Sequence, residues 1–228
     1  MKIPLFDIDG TLFKTGGKLH ADAFAYAFEK VYGIIATKDD AGTPEGRVDR
    51  QIIFEIVKFH GLSDKQIEEK INEAIACMND YFVKHKQDAN PEVLIGVKEL
   101  LIELKKNNIP LGLLTGNLEK IAWTKIEMAG LKDYFSFGAF GDNVLKRVEL
   151  VEVARQNAEK VLKRDFQIND FVIIGDTPRD IACANDAGIK CLIVATGAYS
   201  FRQLEEEKPD VLLHTLGEKD KVLEFLNN

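Results

Sequence analysis

The sequence predicts an α/β protein, a parallel sheet held between helical layers, with a helical unit inserted near its start. Two observations predict this. Short apolar runs bounded by turn residues alternate with amphipathic segments. After the first run, a long helical stretch intervenes before the next.

The elements follow in order. "IPLFDI" (3–8), "IPLGLLT" (109–115), "FVIIGD" (171–176) and "CLIVAT" (191–196) read as buried parallel strands, with "DVLLH" (210–214) a weaker fifth. Between the first two, Ala21, Phe24, Ala25 and Phe28 mark one helix face. Ile52, Ile53, Ile56 and Val57 mark a second, and Ile67, Ile71, Ile75, Met78 and Phe82 a third. Ser63, with Gln66 three residues on, is a helix start signal. Later helices are marked by Val97, Leu100, Leu101 and Leu104, and by Leu150, Val151, Ala154, Ala158, Val161 and Leu162. The reading is a core of residues 1–14 and 89–228 with a helical unit of 15–88. "KTGGK" and "QDANPE" carry the Gly, Asn and Pro expected of hinges.

The 228 residues are 46% hydrophobic and 29% charged, enough for a sizeable core. A formal net charge of −7 argues against a nucleic-acid-binding surface, so an anionic ligand must be met by local positive charge. Cys77, Cys183 and Cys191 form no C-x-x-C and are odd in number, which fits a reducing cytoplasm rather than a disulfide framework. The N-terminal apolar run is broken by Asp7, which fits neither a signal peptide nor a membrane span.

Polar residues gather where three strands end: Asp7 and Asp9, then Thr115 to Asn117, then Asp176 and Asp180. In open parallel sheets, ligands bind outside those carboxyl ends. Any one of these groups alone reads as a turn or a helix cap. Together they put four carboxylates on one rim, where they would repel unless a cation joined them. Oxygen ligands of this kind suit Mg²⁺. His20, His60, His85 and His214 share no ligand spacing and read as surface or satisfied residues, Trp123 as packing, and Glu205 to Glu207 as a solvated face.

"DIDGTL" (7–12), "LLTGN" (113–117) and "IIGDTPRDI" (173–181), in that order, resemble the first, second and fourth motifs of the haloacid dehalogenase-like superfamily. The resemblance spans most of the chain. It implies a Rossmann-like core and an inserted helical cap of the phosphoglycolate phosphatase-like or β-phosphoglucomutase-like branch. By that resemblance Asp7 is the nucleophile that forms an aspartyl-phosphate, and Asp9 is the general acid and then base. Mg²⁺ is held by Asp7, the Asp9 carbonyl and Asp176, with Asp180 in support. Thr115, Gly116 and Asn117 bind phosphate.

The third motif departs from the family's usual lysine. Arg147 and Lys146 are both candidates for its cation, Arg147 nearer the expected register. In the cap, "GRVDRQI" (46–52) resembles the "GxTDxxI" stretch with Val48 in place of threonine, which makes Arg47 a candidate substrate contact. The implied function is Mg²⁺-dependent hydrolysis of a small phosphorylated metabolite. A sugar phosphomutase and a non-catalytic phosphate-binding protein are the alternatives. A dehalogenase is disfavoured because that branch lacks the second aspartate. No nucleic-acid or membrane partner is expected.

Overall fold

The computed structural model describes residues 1–14, 18–40, 42 and 45–227. Among them, six parallel strands form one sheet: β1 (Ile3–Phe6), β4 (Gly112–Leu114), β5 (Phe137–Ala139), β6 (Phe171–Gly175), β7 (Lys190–Val194) and β8 (Val211–Leu213). Their spatial order is β5-β4-β1-β6-β7-β8. β1 pairs with β4 through Leu5–Gly112 and Phe6–Leu113, and with β6 from Ile3–Phe171 to Phe6–Ile174. The first strand in sequence is therefore central, with β4 and β6 on either side.

Alternation along the strands divides the core into two layers. Phe6, Leu113, Val172, Ile174, Leu192 and Val194 face α4 (Val97–Lys106), α5 (Glu119–Met128) and α9 (Lys219–Asn227). Ile3, Leu5, Leu114, Ile173, Cys191 and Ile193 face α6 (Glu149–Leu162), α7 (Pro178–Ala187) and α8 (Phe201–Glu206). Helices on both faces explain why β6 reads as an unbroken apolar run, with all five residues buried.

The helical unit holds α1 (Leu19–Ala27), which runs on into a π-helical turn at Phe28–Tyr32, then α2 (Asp49–Phe59) and α3 (Asp64–Lys84). It has its own apolar cluster, which takes in Leu118 and Ile121 from the core. That shared cluster seats the unit on α5. Ser63 and Gln66 form the capping box expected at the start of α3.

The structure differs from the sequence reading in several places. The buried face of the first helix is Leu19, Ala23, Phe24 and Ala27, continued by Phe28 in the π-helical turn, because the apolar stripe follows the i, i+4 row. Val161 lies exposed near the end of α6. The edge strand β5 has three residues, one of them Gly138, and offers too little pattern to be read. The two connections to the helical unit are not plain linkers. β2 (Phe13–Lys14) and β3 (Glu92–Val93) pair antiparallel as a short ribbon. Residues 15–17 of the "KTGGK" hinge lie outside the described residues.

Candidate active site

Because β4, β1 and β6 are neighbours, the chain leaving each delivers its polar residues to one place. Asp7, Asp9, Thr115, Asn117, Arg147 and Asp176 all line one cavity of about 560 Å³. β1 ends at Phe6, and the Asp7 N–H still donates to the Ile174 carbonyl at 2.9 Å, so Asp7 is held by sheet hydrogen bonding. Gly10 follows with φ of 85°, and a side chain there would collide with the Asp176 carboxylate. Glycine at that position therefore allows two loops to close around the site.

Three of the four expected carboxylates converge. Asp7, Asp176 and Asp180 bring ligand-type oxygens within 4.8 Å of one another, and all three are buried. The Asp9 side chain does not join them. Its Oδ2 accepts from Asn117 Nδ2 at 2.9 Å and from Lys125 Nζ at 2.6 Å. Beyond β1 the chain is no longer a regular strand, so two-residue alternation does not hold Asp9 beside Asp7.

The three buried carboxylates face one cation. Arg147 Nη2 lies 2.6 Å from Asp180 Oδ1 and 3.2 Å from Asp7 Oδ2. Burial raises the Asp7 carboxyl to about 6; Arg147 opposes that rise and Asp180 adds to it. Burial, then the charges of Asp180 and Asp7, push Asp176 well above the ordinary carboxylate range. Uncompensated negative charge on oxygen ligands is what a small divalent metal would neutralise, so the residues present fit one. Asp180 is the most committed of the three. Its Oδ2 accepts from the Thr177 hydroxyl at 2.7 Å and the Thr177 N–H at 3.0 Å, which completes the start of α7 ahead of Pro178. Asp180 thus orients Arg147, while Asp7 and Asp176 face the cavity.

Of the two third-motif candidates, Arg147 points inward. Lys146 is exposed to solvent and takes no part in the site. The reason is register: the Leu150 and Val151 face of α6 packs on the sheet, and the turn before it carries Arg147 inward and Lys146 outward.

Thr115 is fully buried at the end of β4, its Oγ1 accepting from Asn117 Nδ2 at 2.8 Å. The Gly116 carbonyl accepts from the Asp49 N–H at 2.8 Å, so the second-motif loop is bonded directly to the helical unit. Arg47 lines the cavity and pairs with Glu55 in the middle of α2. Val48, where the resembled stretch carries threonine, is fully buried against the core.

Sequence reasoning missed three residues here. Lys125 is on α5 with a side chain only 3% exposed. His20, read as bland, lines the cavity with Nε2 3.0 Å from Asp49 Oδ2 and Nδ1 3.4 Å from Lys125 Nζ. Asp49 also accepts from the Leu118 N–H at 2.9 Å. A signal for Lys125 existed. It follows Ile121 by four residues, which puts a charge on the apolar stripe of α5. The lysine and Asn117, with Lys125 Nζ donating to Asn117 Oδ1 at 2.7 Å, surround the Asp9 carboxyl: burial is the largest single influence and raises it, but the charge and hydrogen bond of Lys125 and the hydrogen bond of Asn117 bring it below the usual value.

The chain resembles a protein named pyrophosphatase PpaX from Bacillus mycoides, 24% identical over 98% of this chain and 97% of the relative. Its fold matches the crystal structure of CbbY from Rhodobacter sphaeroides in complex with phosphate, with a TM-score of 0.71, 21% identity and 96% of each chain covered. It also matches a hydrolase from Pseudomonas syringae, with a TM-score of 0.70, 19% identity and 99% of each chain covered. The family model for haloacid dehalogenase-like hydrolases matches residues 4–194. With that match running from β1 through β7 and the three strand-end motifs in one cavity, the chain belongs to the haloacid dehalogenase-like hydrolase family.

Proposed function

We propose that the protein is a Mg²⁺-dependent phosphatase that hydrolyses a small phosphate monoester through an aspartyl-phosphate on Asp7. The observation that carries this reading is that Asp7, Asp9, Thr115 and Arg147 line one cavity. Asp7 attacks phosphorus, and the bond from phosphorus to the leaving oxygen breaks as Asp9 gives that oxygen a proton. Water then attacks phosphorus, Asp9 takes its proton, and Asp7 is released with inorganic phosphate. Arg147 keeps Asp7 usable as an anion beside a dianionic substrate. Thr115 and the backbone of Gly116 cradle phosphate oxygens.

Asp7, Asp176 and the Asp9 carbonyl would hold Mg²⁺, which supplies positive charge against the phosphate. The cap helices shield the site from water and must part to release product. A small phosphorylated metabolite is the expected substrate, without nucleic-acid or membrane partners. Free Cys77, Cys183 and Cys191 support a cytoplasmic setting. Among the described residues, no helix is long and apolar enough to cross a membrane.

The test is phosphate release from a metabolite-phosphate panel that includes p-nitrophenyl phosphate. Pyrophosphate belongs in the panel because the Bacillus mycoides relative is named a pyrophosphatase. Turnover with Mg²⁺ that EDTA abolishes is expected, whereas no turnover across the panel favours a phosphate-binding protein. Both aspartates also suit a β-phosphoglucomutase-like enzyme, and conversion of glucose 1-phosphate to the 6-phosphate would select it.

A further inference from the structure

The geometry points to Lys125 as a positioning residue that fixes the carboxylate of Asp9, with His20 and Asp49 tying that alignment to the seated cap. The inference rests on the phosphatase reading above, in which Asp9 moves the proton.

An ammonium has three protons to donate and no lone pair. In this cavity wall each proton has an acceptor: Asp9 Oδ2 at 2.6 Å, Asn117 Oδ1 at 2.7 Å and His20 Nδ1 at 3.4 Å. The lysine is therefore fully engaged by protein groups and is not a substrate ligand. Asn117 Nδ2 reaches the same Asp9 oxygen at 2.9 Å. Two donors on one oxygen fix the rotation of that carboxylate, which is 34% exposed at the cavity edge.

The contact to His20 settles the imidazole. Nδ1 accepts from Lys125, so Nε2 carries the hydrogen and donates to Asp49 Oδ2. Asp49 in turn accepts from the Leu118 N–H, one residue beyond Asn117. The chain of contacts leaves the core at Lys125, crosses α1 and α2 of the cap, and returns to the core at Leu118. If the cap lifts, His20 and Asp49 leave with it, and Lys125 loses the third of its acceptors. Asp9 is thus held most firmly when the cap is down.

A lysine that served packing alone would, on replacement by an apolar residue of similar length, affect substrates with good and poor leaving groups alike. That contrast provides the experiment. Compare Lys125→Met with wild type on two substrates, p-nitrophenyl phosphate and glycerol phosphate. The p-nitrophenolate leaves as an anion, while an alkoxide needs a well-placed proton. A positioned acid or base is worth about 10²–10⁴-fold, and lost alignment forfeits part of that. Lys125→Met should lower kcat/KM for glycerol phosphate roughly tenfold or more and leave it within about threefold for p-nitrophenyl phosphate. Lys125→Arg, which keeps the charge with a different donor geometry, should fall between.

Equal losses on the two substrates, or none on either, overturn the inference while leaving the phosphatase reading intact. Absence of wild-type turnover on both overturns the two together. Should Lys125→Met fail to fold, His20→Ala decides by the same comparison. A selective loss on glycerol phosphate supports the positioning role, and an equal loss or none overturns it.

Discussion

Arg147 joins Asp7 to Asp180, lying 3.2 Å from the first and 2.6 Å from the second. It is the cation beside the three buried carboxylates; burial works against its charge, but Asp180 and Asp7 next to it more than offset that and raise its proton affinity. Removing one partner of a buried ion pair costs about 3–5 kcal/mol, because the other charges stay behind. Arg147→Ala should therefore lower both Tm and turnover of p-nitrophenyl phosphate, and Lys146→Ala should change neither. Thermal melts and initial rates on the two variants check this, and the reverse pattern would show that the third-motif register is wrong.

Asp7 and Asp9 have different tasks in the proposed reaction, and substitution separates them. Asp7→Asn removes the nucleophile, so activity should fall on the order of 10³-fold or more, with no phosphorylated protein detectable by intact mass. Asp9→Asn should cost about 10²–10⁴-fold in turnover while the far-ultraviolet circular dichroism stays that of wild type. Near-full activity in Asp9→Asn would remove its acid–base role.

The acidic cluster also predicts a pH dependence. Burial, eased by Arg147, raises the Asp7 carboxyl to about 6, and burial with its acidic neighbours holds Asp176 well above the usual range. Each group binds its proton more tightly folded than unfolded. The contribution of Asp7 to stability is therefore present at low pH and lost as pH rises from about 4 through about 6, and that of Asp176 is likewise present at low pH and lost as pH rises. A divalent cation held by these carboxylates would take the place of those protons. Adding Mg²⁺ should raise Tm by ~3 °C or more near pH ~7.5 and by much less near pH ~5. Calorimetry at the two pH values, with and without the metal, is the check.

Gly116 lies where the core meets the cap. Its carbonyl accepts from the Asp49 N–H, and a side chain at this position would run into the Arg47 carbonyl. Gly116→Ala should push the segment of residues 46–49 off the second-motif loop, at about 1–3 kcal/mol for the overpacking. We expect a raised KM, lower kcat and faster proteolysis within the cap. Wild-type kinetics in this variant would show that the close approach of cap and core is dispensable.

The motifs at residues 7–12, 113–117 and 173–181 were legible because they stand against apolar runs, where carboxylates and hydroxyls are out of place. The five strands read from the sequence all carry such runs. β5 did not, and the β2–β3 ribbon consists of two-residue strands whose partners are far apart in sequence. His20 looked bland for the same reason. Nothing near it in sequence shows that Asp49 and Lys125 lie on either side of its ring.

By itself, then, the sequence determined the layered α/β architecture, the strand-end carboxylates and the choice of residue types for phosphate chemistry. Those follow from local periodicity and from polar groups interrupting buried runs, which one chain displays. Only the tertiary structure decided which groups meet. It turned Asp9 away from the other carboxylates and toward Lys125, sent Arg147 inward and Lys146 out, and brought His20 and Asp49 of the cap onto the core. Such pairings depend on the register of helices packed against the sheet, where one residue of rotation exchanges a buried cation for a solvated one.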